Sequence, residues 1–383
     1  MAALPTQSGR RPPWRRPGRL GFAVLAVALG GAGTWAVARY MAGRLLSTEH
    51  RPRPLRAGLT AAAVDRVMLT RGRDTARDGV FGLVWDGGRT IVREVLSVDR
   101  RTVTRRVDPG SDLPPAGAKV RIDEKVYEGD PASALGLTFE EVAVPGELGP
   151  MPAWLLDGTR PTWLIAVHGR DGDRTDALRW LGVPARLGVP TLVITYRNDA
   201  GAPASADRRY RLGATEWLDL EAAVEWALQR GAAGVVLFGA SMGATIIAQL
   251  LRESPHRGAV RAIVFDSPVL DWRSTLLHLV SRVRLPRRVA VAAQRAIARR
   301  ARVDLDRLDL LRAPELFDRP VLLVQGTQDT ISPPADADDF AERHADLVTY
   351  VRVDGADHVQ TWNVDPARYE AALAEFLDRW TAA

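Results

Sequence analysis

Val235-Val236-Leu237-Phe238-Gly239-Ala240-Ser241-Met242-Gly243 is followed at once by Ala244-Thr245-Ile246-Ile247-Ala248-Gln249-Leu250-Leu251-Arg252. Four apolar residues without alternation are what a strand buried on both faces looks like, and the second stretch reads as a helix. Between them is room only for a tight strand-to-helix turn. Such a turn forces its central residue into strained dihedrals and crowds its neighbours, which explains the small residues Gly239 and Gly243. It also lifts the Ser241 hydroxyl above the sheet and onto the start of a helix, where free amides and the helix dipole favour developing negative charge. Ser241 is therefore the candidate nucleophile.

Working outward, further apolar runs occur at residues 163–167, 191–195, 262–265 and 321–324, with an alternating strand at 348–353. Helical stretches separate most of them; in residues 216–229, for instance, Trp217, Leu220, Val224 and Leu228 share one face. Alternation of strand and helix implies parallel pairing through right-handed crossovers, hence an α/β fold built as a three-layer α/β/α sandwich with a mostly parallel sheet. A hairpin, residues 139–144 and 153–156 around a turn-rich 145–150, opens this domain, which we place at 138–383. Residues 61–137 read as a small β-rich lead-in unit, with runs 80–85 and 90–96 joined by Asp86-Gly87-Gly88. Residues 43–60, rich in Arg and Pro, read as a linker. A helical insertion at about 270–312 breaks the alternation, and residues 280–312 hold ten Arg against Asp304, Asp306 and Asp309. It is either a solvated insertion or a cap whose basic face meets a phospholipid surface or an anionic substrate.

A serine is a poor nucleophile at its ordinary pKa, so a base and an orienting carboxylate are needed downstream. Two loops at carboxyl ends of strands provide candidates: Gln325-Gly326-Thr327-Gln328-Asp329 and Asp354-Gly355-Ala356-Asp357-His358. Open α/β sheets build their sites at that edge. Of the six histidines, only His168 and His358 follow strands. Asp357 adjoins the base in sequence and reads as structural.

These residues resemble the α/β-hydrolase superfamily over roughly residues 138–380, most of all its serine aminopeptidase, prolyl-oligopeptidase-like and membrane-anchored esterase members. The shared features are His168-Gly169 after an early strand, the Gly-x-Ser-x-Gly turn, a Gly-x-x-Asp loop and a terminal Gly-x-x-His. The resemblance implies Ser241 as nucleophile, His358 as general base and then acid, and Asp329 as the carboxylate that orients the imidazole. Asp266, in Phe265-Asp266-Ser267-Pro268, is the alternative acid, since some members take it from that strand. The implied oxyanion hole is formed by the amides of Met242 and Arg170, with Gly169 admitting close backbone approach and His168 supporting the loop. Tyr196 either lines the pocket or packs in the core. Serine rather than aspartate at the turn speaks against haloalkane dehalogenase and epoxide hydrolase chemistry. The implied activity is a serine hydrolase cleaving an ester, thioester or amide of a small-molecule or lipid-like acyl substrate, carboxylesterase-like, lipase-like or a peptidase, without metal or organic cofactor. An acyltransferase on the same machinery and a non-catalytic binding protein of the same fold are the alternatives.

The chain has 383 residues, 46% hydrophobic and 26% charged, which suits a folded protein with a sizeable core. It has no cysteine, so disulfides and thiolate metal sites are excluded. The net charge of +6 is concentrated near the start: ten Arg and one acid, Glu49, lie between Arg10 and Arg56, leaving the remainder mildly acidic, with no reason to expect nucleic acid. Residues 20–38 carry no charge and no Pro and follow a tail, 1–19, with five Arg. That length predicts a transmembrane helix or signal anchor over 20–42. The alternative is a secreted enzyme after signal cleavage near Ala36-Val37-Ala38. Positive charge on the tail places it in the cytoplasm and the enzyme outside. Oligomeric state is not legible.

Overall fold

The computed structural model describes residues 30–49 and 53–382. The first described helix, α1 (Gly30–Leu46), leads to six antiparallel strands: β1 (Ala57–Ala63), β2 (Arg66–Thr70), β3 (Phe81–Trp85), β4 (Gly88–Val98), β5 (Thr102–Val107) and β6 (Lys119–Asp123). They close into a barrel in the order β1-β2-β5-β4-β3-β6. Alternation along each strand fills its interior: Val67 and Leu69 of β2 meet Phe81, Leu83, Val92, Val107 and Val120, while Arg66 and Thr70 face outward. Closure leaves no unpaired strand edge.

The second unit is one sheet of eight strands: β7 (Glu140–Gly146), β8 (Gly149–Leu156), β9 (Thr162–Val167), β10 (Thr191–Ile194), β11 (Gly234–Ala240), β12 (Val260–Asp266), β13 (Val321–Gly326) and β14 (Val348–Val353). The spatial order is β14-β13-β12-β11-β9-β10-β8-β7, antiparallel only where β8 meets β7 and β10. The expected connection at 145–150 is shorter than its composition suggests, because β7 and β8 stay paired up to Gly146 and Gly149.

Helices cover both faces, as a mostly parallel sheet requires. Ile165, Val167, Val235 and Leu237 point to the side of α2 (Trp217–Gln229), α3 (Met242–Glu253) and the insertion helices α4 (Trp272–Arg282) and α5 (Arg287–Ala301), a side that α6 (Pro334–Arg343) also covers. Leu164, Ala166, Val236 and Phe238 point to α7 (Pro366–Thr381) on the other. From β9 the chain turns to β10 on one side and later crosses to β11 on the other. The loops leaving β9 and β11 therefore diverge, and that divergence opens a crevice at the carboxyl edge.

The N-terminal reading is corrected in part. Residues 20–29 of the expected membrane span lie outside the described residues, and no described helix is long and apolar enough to cross a membrane. Residues 30–42 instead belong to α1, which packs on α5: Val37 and Met41 meet Val280, Val289 and Ala290, while Ala42 and Leu46 join the main core. The Gly and Ala content that reads as lipid-compatible lets two helices approach closely, and burying Leu46 contributes about 2 kcal/mol. The expected linker at 43–60 is shorter as well, since α1 runs to Leu46 and β1 begins at Ala57.

Candidate active site

Ser241 stands between β11 and α3 with φ 52° and ψ −113°, backbone that L-residues rarely adopt. Its amide donates to the Asp266 carbonyl at 2.9 Å, and its carbonyl accepts from Val269 N at 3.0 Å, so neighbouring backbone holds the strained residue in place. A Cβ on Gly243 would lie 2.6 Å from the Val167 carbonyl, and one on Gly239 2.8 Å from the Gly243 carbonyl carbon. Only glycine at these positions lets α3 start against the end of β9.

The loop after β14 brings His358 over this turn. Its Nε2 is 2.8 Å from Ser241 Oγ, and its Nδ1 is 2.9 Å from Asp329 Oδ2 in the loop after β13. Asp329 is 2% exposed. Its Oδ1 accepts from the amides of Ile331 and Ser332, each at 2.8 Å, and Oδ2 accepts from Gln325 Nε2 at 3.0 Å. Those donors fix the orientation of the carboxylate. Burial pulls the His358 imidazole down, but Asp329, with Asp266 and Asp357 behind it, more than offsets this, so its pKa lies above the ordinary histidine value.

Asp266, the alternative acid, is placed differently. Its oxygens accept from Thr361 Oγ1 (3.1 Å), Tyr369 OH (3.0 Å) and Ser267 Oγ (3.1 Å), and burial raises its pKa. Ser267 Oγ in turn accepts from Val359 N at 3.0 Å, so Asp266 supports the backbone beside His358 without meeting its ring.

The loop after β9 lies against Ser241: a Cβ on Gly169 would come within 2.8 Å of Ser241 Cβ. His168 is buried and touches no reacting position. Its Nε2 meets Asp199 Oδ2 and its Nδ1 meets the Gly169 carbonyl, both at 2.8 Å, and it stacks on Tyr196. Burial lowers its pKa, the two acceptors raise it more, and the net direction is upward. Tyr196 is also buried, donating to the same Gly169 carbonyl at 2.8 Å, so it belongs to the loop support and not to a pocket wall. Met242 opens α3, where first-turn amides have no intrahelical acceptor, and Arg170 follows Gly169 directly. Among the described residues no cluster of three or more His, Asp or Glu could hold a metal ion.

Several side chains at the site carry no sequence signal. Arg77 reaches from the barrel to the histidine loop, pairing with Asp357 Oδ2 at 3.0 Å and donating to Gln360 Oε1. Asp357 Oδ1 accepts from both His358 N and Thr330 N at 2.8 Å, which joins the loops of His358 and Asp329. Arg77 is itself braced: the fully buried Arg105 donates to the carbonyls of Thr75, Arg77 and Gly79. Arg179 donates to the carbonyl of Val359, a β-branched residue held at φ 54°, and the His278 ring of α4 meets the Asp329 carbonyl at 3.2 Å. Arg77→Ala is expected to lower kcat by about 10²-fold with KM little changed, because a small misplacement of the imidazole suffices. Arg77→Lys should restore part of it. Steady-state kinetics check this, and an unchanged kcat would remove Arg77 from the positioning machinery.

Residues 193–383 match the prolyl oligopeptidase family, and residues 58–123 match a domain of unknown function (DUF8805). Among solved structures, an esterase of Pyrococcus furiosus is 22% identical, covering 67% of this chain and 96% of its own, with a TM-score of 0.54. A puromycin-hydrolyzing peptidase of Mycobacterium tuberculosis is 18% identical, covering 84% of this chain and 47% of its own, with a TM-score of 0.50. No curated protein matches.

Proposed function

The chain is a serine hydrolase of the α/β-hydrolase superfamily, and on that premise we propose that it cleaves an ester, thioester or amide through an acyl-enzyme on Ser241, with His358 and Asp329 completing the triad. One observation carries this reading: the unbroken hydrogen-bond chain from Ser241 Oγ through His358 to Asp329, at 2.8 and 2.9 Å. Ser241 Oγ attacks the acyl carbon as its proton passes to His358 Nε2. The negative charge formed on the substrate oxygen is met by the amides of Met242 and Arg170. As the bond to the leaving group breaks, the imidazolium returns the proton to that group, and water then repeats the sequence to release the acid. Asp329 orients the ring through Nδ1 and stabilises the imidazolium.

The proposed substrate is a small-molecule or lipid-like acyl compound. The test is labelling of the intact protein by a fluorophosphonate, followed by p-nitrophenyl esters of graded length set against aminoacyl-nitroanilides. Absence of label at Ser241 would sink the mechanism, and a preference for anilides would replace the esterase reading with a peptidase.

Tethering to a membrane, with the enzyme facing outward, is proposed on sequence alone, from the five arginines before an uncharged run that begins at Leu20. The full chain should then sediment with membranes and resist alkaline extraction. Recovery in the soluble fraction would overturn the tether.

A further inference from the structure

At the mouth of the barrel, beside the histidine loop, lies a cavity of 470 Å³ lined by Arg53, Arg56, Arg71, Arg73, Arg77 and Arg121, with Gln360 contributed by the sheet domain. Only two acids, Asp74 and Glu124, share the lining, and Glu124 already pairs with Arg53. Arg121 pairs with Asp123, while Arg73 and Arg77 share Asp357. Among the described residues Arg56 and Arg71 have no ion-pair partner; the Arg71 guanidinium donates to a neutral acceptor, the Asp99 carbonyl. The open surface beside it shares Arg71 and Arg73, adds Arg100 and Arg101, and has no acidic lining residue.

Guanidinium groups gathered in a concave site repel one another and focus a positive potential, a cost that a bound anion reverses. Their planar forks fit phosphate and carboxylate oxygens two at a time. We propose that this cavity, with the open arginine surface beside it, binds a multiply charged anion, its phosphate or carboxylate groups seated between Arg56 and Arg71 and extending toward Arg100 and Arg101. The site is distinct from Ser241, although Arg73 and Arg77 connect its wall to Asp357.

Thermal denaturation of the full chain tests it, with pyrophosphate compared against chloride at equal ionic strength, for the parent and for the exposed double variant Arg56→Gln/Arg71→Gln. Saturable stabilisation of the parent is expected, weakened about tenfold or more in apparent affinity by the variant. The variant should hydrolyse a neutral ester at the parent's rate, which shows that it is folded. Co-sedimentation with phosphatidylglycerol vesicles, against phosphatidylcholine, tells whether the anion is presented on a lipid, and that binding should weaken in the variant too. No response in either arm beyond that of salt, or equal responses in parent and variant, would overturn the site. Binding should persist in Ser241→Ala, so the outcome does not depend on the proposed triad.

Discussion

Ser241→Ala is expected to lower kcat by about 10⁶-fold and to abolish fluorophosphonate labelling, while leaving the unfolding temperature close to the parent's. In the proposed mechanism the hydroxyl is the attacking group, so the loss is large and the remaining oxyanion amides and substrate contacts supply only a residual rate. The fold should be indifferent because the strain belongs to the backbone: alanine at φ 52° is no better accommodated than serine, and the Asp266 and Val269 backbone bonds that hold the turn are unchanged. Ser241→Gly separates the two effects further. Glycine reaches those dihedrals without steric cost, so the variant should be as inactive as the alanine and at least as stable. Progress curves at high enzyme concentration and calorimetry make both measurements. Retained turnover in either variant would mean that another nucleophile does the work.

The sheet was legible because its strands are buried on both faces: continuous apolar runs such as Val321-Leu322-Leu323-Val324 leave few alternatives to a central parallel strand. The positions of Ser241, Asp329 and His358 followed from that, since each sits in a loop at the same edge and short-range geometry fixes it there. What was not legible is what crosses between units. The 280 residues separating Arg77 from Asp357 leave no periodic trace, and an arginine whose value lies in one distant carboxylate looks like any solvated arginine of the barrel. Residues 61–137 read in sequence only as a small β-rich unit, whereas the Arg105-braced loop of the barrel carries a guanidinium into the loop of His358. Helix α1 is the opposite case. Hydropathy counts small apolar residues alike whether lipid or another helix covers them, and only α5 as a partner shows which applies to residues 30–46.

Asp329→Asn should reduce kcat/KM by about 10⁴-fold and move the acidic limb of its pH profile downward. The sign follows from the forces on His358: burial lowers its pKa, and the Asp329 charge and hydrogen bond are the chief influences raising it above the ordinary value. Without that charge burial prevails, so the imidazole is neutral over a wider range of pH yet less able to hold the proton it takes from Ser241. An amide can also present its NH₂ to Nδ1, which favours the tautomer with the proton on Nε2, where it cannot accept from Ser241. Asp266→Asn should act otherwise. Asp266 raises the His358 pKa only from a distance, so a small downward shift and a loss within about tenfold are expected, with the bonds to Thr361 and Tyr369 weakened more than the chemistry. Because Asp266 is buried and its pKa already raised, replacing it by a neutral amide spares the fold the cost of an isolated charge. The two pH profiles, measured on one ester, decide between the acids. If the 10⁴-fold loss falls on Asp266→Asn and Asp329→Asn stays active, the orienting carboxylate is the one at the end of β12, and the bond between His358 and Asp329 is a support of the loop alone.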